Sequence, residues 1–181
     1  MIGRYLHKTG KGSKLQSNLQ MEGKTLFDFT AHDIDGKPVN FADYKGKKHA
    51  FLIVNVASAC GYTDKDYKGL QEIYNAHSAQ GLEILAFPCN QFGAQESKCE
   101  ADIKSFAQTK YHATFPLFSK IEVNGPNAHP LYQWLKASTN TANISWNFNK
   151  FIVDRNGHVK AYKPSSASPA SLVPELAALL A

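Results

Sequence analysis

The sequence predicts one α/β domain with a central mixed sheet, helices on both of its faces, and a β-hairpin at the N-terminal side. Three observations carry this reading. Two continuous apolar runs of strand length, Ala50–Val56 (AFLIVNV) and Leu82–Phe87 (LEILAF), read as strands covered on both faces. Between them, Tyr67, Leu70, Ile73, Tyr74 and His77 recur at helical spacing within Asp64–Ser78, so the three segments form a parallel crossover unit. Two turn dipeptides, Asp35-Gly36 and Asn156-Gly157, each sit between short strand-like segments.

Taken in order, the chain begins with residues 1–21, rich in Gly, Lys and Ser. They hold Arg4, Lys8, Lys11 and Lys14 and no acid, so they contribute +4 of the net +5 and leave +1 for residues 22–181. This segment is expected to be a disordered leader, either a cytosolic extension or an organelle presequence; Met21 could serve as an alternative start. It has no apolar stretch of secretory-signal length. Thr25–Ala31 and Lys37–Phe41 are the first hairpin, followed by the two buried strands and their intervening helix. Ala101–Lys110 and His129–Ala137 are expected helices, the latter with Leu131, Trp134 and Leu135 inward. Phe151–Asp154 and His158–Tyr162 make the second hairpin, and Pro169–Leu180 a closing amphipathic helix.

Length and composition narrow the function. The 181 residues suit a single domain, 22–181 after the leader, and 43% apolar residues suit a packed core. No apolar run reaches the roughly 20 residues of a membrane-spanning helix. The basic balance belongs to the leader and the body has no long basic stripe, which argues against nucleic acid as a partner. Three cysteines are too few for a disulfide scaffold, the seven histidines show no metal-ligand spacing, and no metal is expected. Asn143-Ile144-Ser145 matches a glycosylation sequon by chance.

The chemistry-bearing residues gather in loops beside the central strands, where α/β sheets place their sites. Cys60 stands after the strand ending at Val56 and before a helix, whose N-terminal N–H groups and dipole favour a thiolate. The loop after Phe87, Pro88-Cys89-Asn90-Gln91-Phe92-Gly93-Ala94-Gln95-Glu96, should lie beside it and bring carboxamides. Trp146-Asn147-Phe148-Asn149-Lys150, directly before the strand at Phe151, could add an indole N–H and a carboxamide.

These three blocks, Asn55 to Thr63, Leu85 to Glu96 and Trp146 to Phe151, resemble the signature blocks of the glutathione peroxidase family. Phe115 to Gly125 and His129-Pro130-Leu131-Tyr132 match as well, in the same order. The resemblance implies a thioredoxin-like fold and a thiol-dependent peroxidase that reduces hydrogen peroxide and organic or lipid hydroperoxides. It places the peroxidatic cysteine at Cys60, where some members carry selenocysteine, and the rest of a catalytic tetrad at Gln95, Trp146 and Asn147. No prosthetic cofactor is implied; the reductant is a co-substrate, glutathione or a thioredoxin-like dithiol protein. A redox sensor or relay, passing a disulfide from Cys60 to a partner protein, is the alternative use of the same first step.

Two departures from the family pattern matter. Thioredoxin-dependent members carry a resolving cysteine at the position that Gln108 holds here. Cys99 could substitute if its segment is mobile, and Cys89 is a weaker candidate that reads as structural. Only residues 138–145 separate Ala137 from Trp146. That short connection resembles the monomeric, phospholipid-hydroperoxide type, which implies a shallow site, bulky lipid substrates and a monomer. A cytoplasmic location is expected, or a mitochondrial or other organellar one if residues 1–20 are a leader.

Overall fold

The computed structural model describes residues 21–181. The leader proposed for 1–21 lies outside the described residues except for Met21, which is partly buried against the core.

The N-terminal hairpin is shorter than expected. Thr25–Ala31 does not form one strand. Leu26–Asp28 is a 3-10 turn and only Thr30–His32 (β1) pairs with Pro38–Asn40 (β2). The reason is local: Asp28 accepts hydrogen bonds from both the Thr25 amide (2.7 Å) and the Thr25 hydroxyl (3.0 Å), a capping box that curls the chain before it can extend. The remaining elements follow the expected order: β3 (Ala50–Val56), α1 (Thr63–His77), β4 (Leu82–Pro88), α2 (Glu100–Tyr111), α3 (Pro130–Ser138), β5 (Lys150–Asp154), β6 (Val159–Lys163) and α4 (Val173–Leu180). The expected closing helix divides into a 3-10 turn, Pro169–Leu172, and α4.

Both hairpin turns use one device. Asp33 Oδ1 accepts from the amides of Asp35 and Lys37, and Asp154 Oδ1 from those of Asn156 and His158, all between 2.8 and 2.9 Å. Each turn then needs a left-handed residue three positions after its aspartate, supplied by Gly36 and Gly157, both at φ +81°.

The main sheet has the order β4-β3-β5-β6. Period-two alternation divides its side chains between two cores. Phe51, Ile53, Leu85, Phe87, Phe151 and Val153 face α3 and the N-terminal hairpin; Leu52, Val54, Val56, Ile84, Ala86 and Ile152 face α1, α2 and α4. Trp134 belongs to the first core, as its spacing predicts, and donates its indole N–H to the Lys24 carbonyl at 3.2 Å.

This topology decides where loops meet. β3 runs parallel to β4 and antiparallel to β5. The end of β3 that leads to Cys60 therefore lies beside the end of β4 that leads to Gln95 and the start of β5 that follows Trp146-Asn147.

Candidate active site

Cys60 is half-buried in the turn that enters α1. Thr63 holds this turn: its hydroxyl accepts from the Cys60 amide at 3.0 Å and donates to the Ala57 carbonyl at 2.7 Å. The Tyr62 amide points back at Cys60 Sγ, 3.5 Å away. A backbone N–H is thus aimed at the sulfur where the chain enters α1.

The Gln95 loop is fastened to the Cys60 loop at two points. The Ala59 amide donates to the Gln95 carbonyl at 3.1 Å, and the Ser58 hydroxyl donates to Glu96 Oε1 at 2.6 Å. Glu96 is fully buried, and burial pushes its carboxyl above the usual glutamate range. Gly93 and Ala94 both take positive φ, +63° and +51°, to turn the chain immediately before Gln95. A Cβ on Gly93 would come within 3.3 Å of the Gln95 side chain, so the backbone approaches that side chain closely.

The third loop closes the arrangement. Asn147 is fully buried and its Nδ2 donates to Gln95 Oε1 at 2.9 Å, which leaves the Gln95 NH2 group free to donate elsewhere. Trp146 lies on the surface with 38% of its area exposed, and its ring sits 6.0 Å from that of Phe92 in the Gln95 loop. Of the large hydrophobic side chains, Tyr62 (37%) shares this exposure. Three segments far apart in sequence thus bring Cys60, Gln95, Trp146 and Asn147 to one end of the sheet.

The other singled-out residues lie differently. Cys89 is fully buried, 3.7 Å from Gln91 Oε1, and burial pushes its thiol upward. Cys99 is exposed at the N-cap of α2, and Gln108 is exposed on the same helix. Among the described residues no three His, Cys, Asp or Glu side chains gather as a metal site, and no helix is long and apolar enough to cross a membrane. Sequence reasoning missed Thr63, Ser58 and Glu96. All three stand inside blocks already singled out, but their pairing becomes visible only when the loops are in place.

A family profile described as glutathione peroxidase matches residues 26–136. The chain belongs to the glutathione peroxidase family. It is 51% identical over 147 residues to a glutathione peroxidase of Schistosoma mansoni, covering 79% of this chain and 86% of that protein. It is 46% identical over 165 residues to a hydroperoxy fatty acid reductase of Synechocystis, covering 86% and 96%. A phospholipid hydroperoxide glutathione peroxidase of Arabidopsis thaliana, named chloroplastic, is 47% identical over 161 residues, covering 87% and 67%. Among solved structures, a Trypanosoma cruzi glutathione peroxidase superimposes with a TM-score of 0.71 at 38% identity, covering 87% and 97%. A thioredoxin-family protein of Chlorobium tepidum superimposes at 0.63 with 17% identity over 84% and 93%, a likeness of fold alone. The protein is a thiol-dependent peroxidase with a thioredoxin-like fold.

Proposed function

We propose that Cys60 is the peroxidatic nucleophile and that Gln95, Trp146 and Asn147 assist it. The carrying observation is the Asn147–Gln95 hydrogen bond of 2.9 Å, which joins residues 52 apart beside the Cys60 turn. Cys60 thiolate attacks the nearer peroxide oxygen. The S–O bond forms as the O–O bond breaks, sulfur is oxidised to a sulfenic acid, and the departing oxygen takes a proton to leave as water or alcohol. The free Gln95 NH2 and the Trp146 indole N–H serve as donors to sulfur and to the departing oxygen. Asn147 acts one step back, fixing the orientation of the Gln95 amide. One external thiol then attacks the sulfenic acid, releasing water. A second thiol attacks the resulting mixed disulfide and frees Cys60.

We assign the resolving step to an external thiol, glutathione or a thioredoxin-like dithiol protein. Cys89 is sealed in the core, and Cys99 stands exposed at the start of α2, outside the Cys60, Gln95 and Trp146 loops, which supports an external resolving thiol. The exposed Trp146 and Tyr62 rings offer apolar surface beside Cys60, which suits organic and lipid hydroperoxides as well as hydrogen peroxide. The proposed compartment is the cytoplasm, or an organelle if residues 1–20 act as a leader.

The test is intact mass and peptide mapping after one equivalent of hydroperoxide without thiol, beside turnover of variants. The expected product gains one oxygen at Cys60 and forms no disulfide. Loss of two hydrogens with a Cys60–Cys99 or Cys60–Cys89 linkage would replace the external step with an internal one. Cys60→Ser should fall to background turnover, and Gln95→Ala should lose about 10²–10³ in rate, the usual cost of one aimed donor. Native turnover in Cys60→Ser would overturn the assignment.

A further inference from the structure

Trp146, Asn147 and Phe148 present three consecutive backbone carbonyls, and a side chain holds each of them. The Trp146 carbonyl accepts from Asn55 Nδ2 (2.9 Å) and Asn149 Nδ2 (2.5 Å), that of Asn147 from the Ser165 hydroxyl (2.7 Å), and that of Phe148 from Lys150 Nζ (2.8 Å). Phe148 also donates its amide to the Asn55 carbonyl at 2.7 Å. This fastening is needed because Phe148 sits at φ +61°, a left-handed conformation unfavourable to a residue with a Cβ.

Lys150 is the donor that reaches furthest. Its side chain is fully buried. Besides the Phe148 carbonyl, its ammonium meets the Ala167 carbonyl at 3.0 Å and Asp66 Oδ1 at 2.5 Å. An ammonium has three N–H bonds, and three acceptors meet them. Asp66, 1% exposed, lies in the first turn of α1, shortly after Cys60. A buried ion pair is a poor source of net stability compared with apolar residues of the same volume. Its consequence here is geometric, because one atom joins α1, the strained Phe148 peptide and the loop at Ala167.

We propose that Lys150 is a positioning residue of the peroxidase site, holding the Phe148 carbonyl, and with it Trp146 and Asn147, in place against the Cys60 and Gln95 loops. The inference rests on the Cys60 reading above. Lys150 touches no reacting atom; it acts through the backbone that carries Asn147 to Gln95.

Three variants separate positioning from plain support of the fold. Lys150→Met removes the ammonium and should lower kcat/KM for hydrogen peroxide, with dithiothreitol as reductant, by about 10–100-fold, the scale of a small misplacement in an aligned site. Asp66→Asn leaves the lysine its two carbonyls and should keep kcat/KM near native. The double variant Lys150→Met with Asp66→Leu replaces the ion pair by apolar volume. It should recover the melting temperature while kcat/KM stays low. Trp146 fluorescence, isolated by difference from Trp146→Phe, should show greater acrylamide quenching in both variants lacking the lysine. That readout needs no turnover, so it stands even if Cys60→Ser were to retain activity. Recovery of kcat/KM together with stability in the double variant, native activity in Lys150→Met, or an Asp66→Asn loss equal to that of Lys150→Met would each overturn the proposal.

Discussion

The three cysteine sulfurs sit in three physical settings. Cys60 has a backbone N–H directed at it and partial access to solvent. Cys99 is exposed at a helix cap, and Cys89 is sealed among core side chains beside Gln91. Burial favours the neutral thiol at Cys89, so this sulfur is a poor nucleophile near neutral pH. Cys89→Ser should therefore leave kcat/KM near native. It should lower stability by about 1–3 kcal/mol, because the new hydroxyl is less tolerant of the core than a thiol. Peroxide turnover and urea unfolding on the same sample check both halves; a loss of activity without a loss of stability would contradict this account of Cys89. The distinction between Cys60 and Cys89 is hard to read from letters alone, since both follow a buried strand. It emerges from what the next residues do: Gly61 and Tyr62 turn the chain so that an amide meets the sulfur, whereas Cys89 stays tied to β3 through its own amide and the Val56 carbonyl.

Turns and caps make several elements sensitive to single atoms. α3 starts with His129, whose Nδ1 accepts the Leu131 amide at 3.2 Å and therefore works only in the neutral ring. Burial, then the neighbouring His32, holds its pKa below the usual histidine value. The native state thus binds the proton more weakly than the unfolded chain. The stability from this cap is present above about pH 6.5, the unfolded value, and is lost as pH falls through the lower folded value. His129→Asn, which caps without titrating, should flatten the loss of melting temperature over that acid interval. The two hairpin glycines offer a second test. Gly36→Ala meets open space and should cost only the left-handed penalty of about 1–2 kcal/mol. Gly157→Ala places a Cβ 3.0 Å from the Phe27 ring and Thr25 Cβ, and should cost measurably more in urea unfolding. At this scale much was legible. Continuous apolar runs named β3 and β4, and helical spacing named α1 and α3. Thr25 to Phe29 misled because its apolar residues suggest extension while the Thr25–Asp28 pair curls it. The side chains that grip the Trp146–Phe148 carbonyls were not legible. Asn55, Ser165 and Lys150 acquire that role from strand pairing and packing, which no local pattern encodes.

For the molecule as a whole, the edges of the main sheet are treated differently. The β4 edge is closed by residues 116–118: the Ala86 amide donates to the Pro116 carbonyl and the Phe118 amide to the Ala86 carbonyl. The same stretch bonds the first hairpin through the Ile34 and Ser119 amides, so it stitches the small sheet to the large one. The β6 edge carries Lys160 and Lys163 next to a register irregularity between Ile152 and Val153. Both features discourage edge-to-edge pairing with another chain. Sedimentation equilibrium should give the single-chain mass of 20.0 kDa; a dimer would show that the lysines do not protect this edge. The dispersal of the site along the chain has a further consequence for synthesis. Asn55 precedes Cys60, Gln95 follows it, and Ser165, which clasps the Asn147 carbonyl, is joined to the chain 105 residues after Cys60. If Cys60 is the nucleophile proposed above, a growing chain carries its thiol long before it carries the side chains that fasten the loops around it.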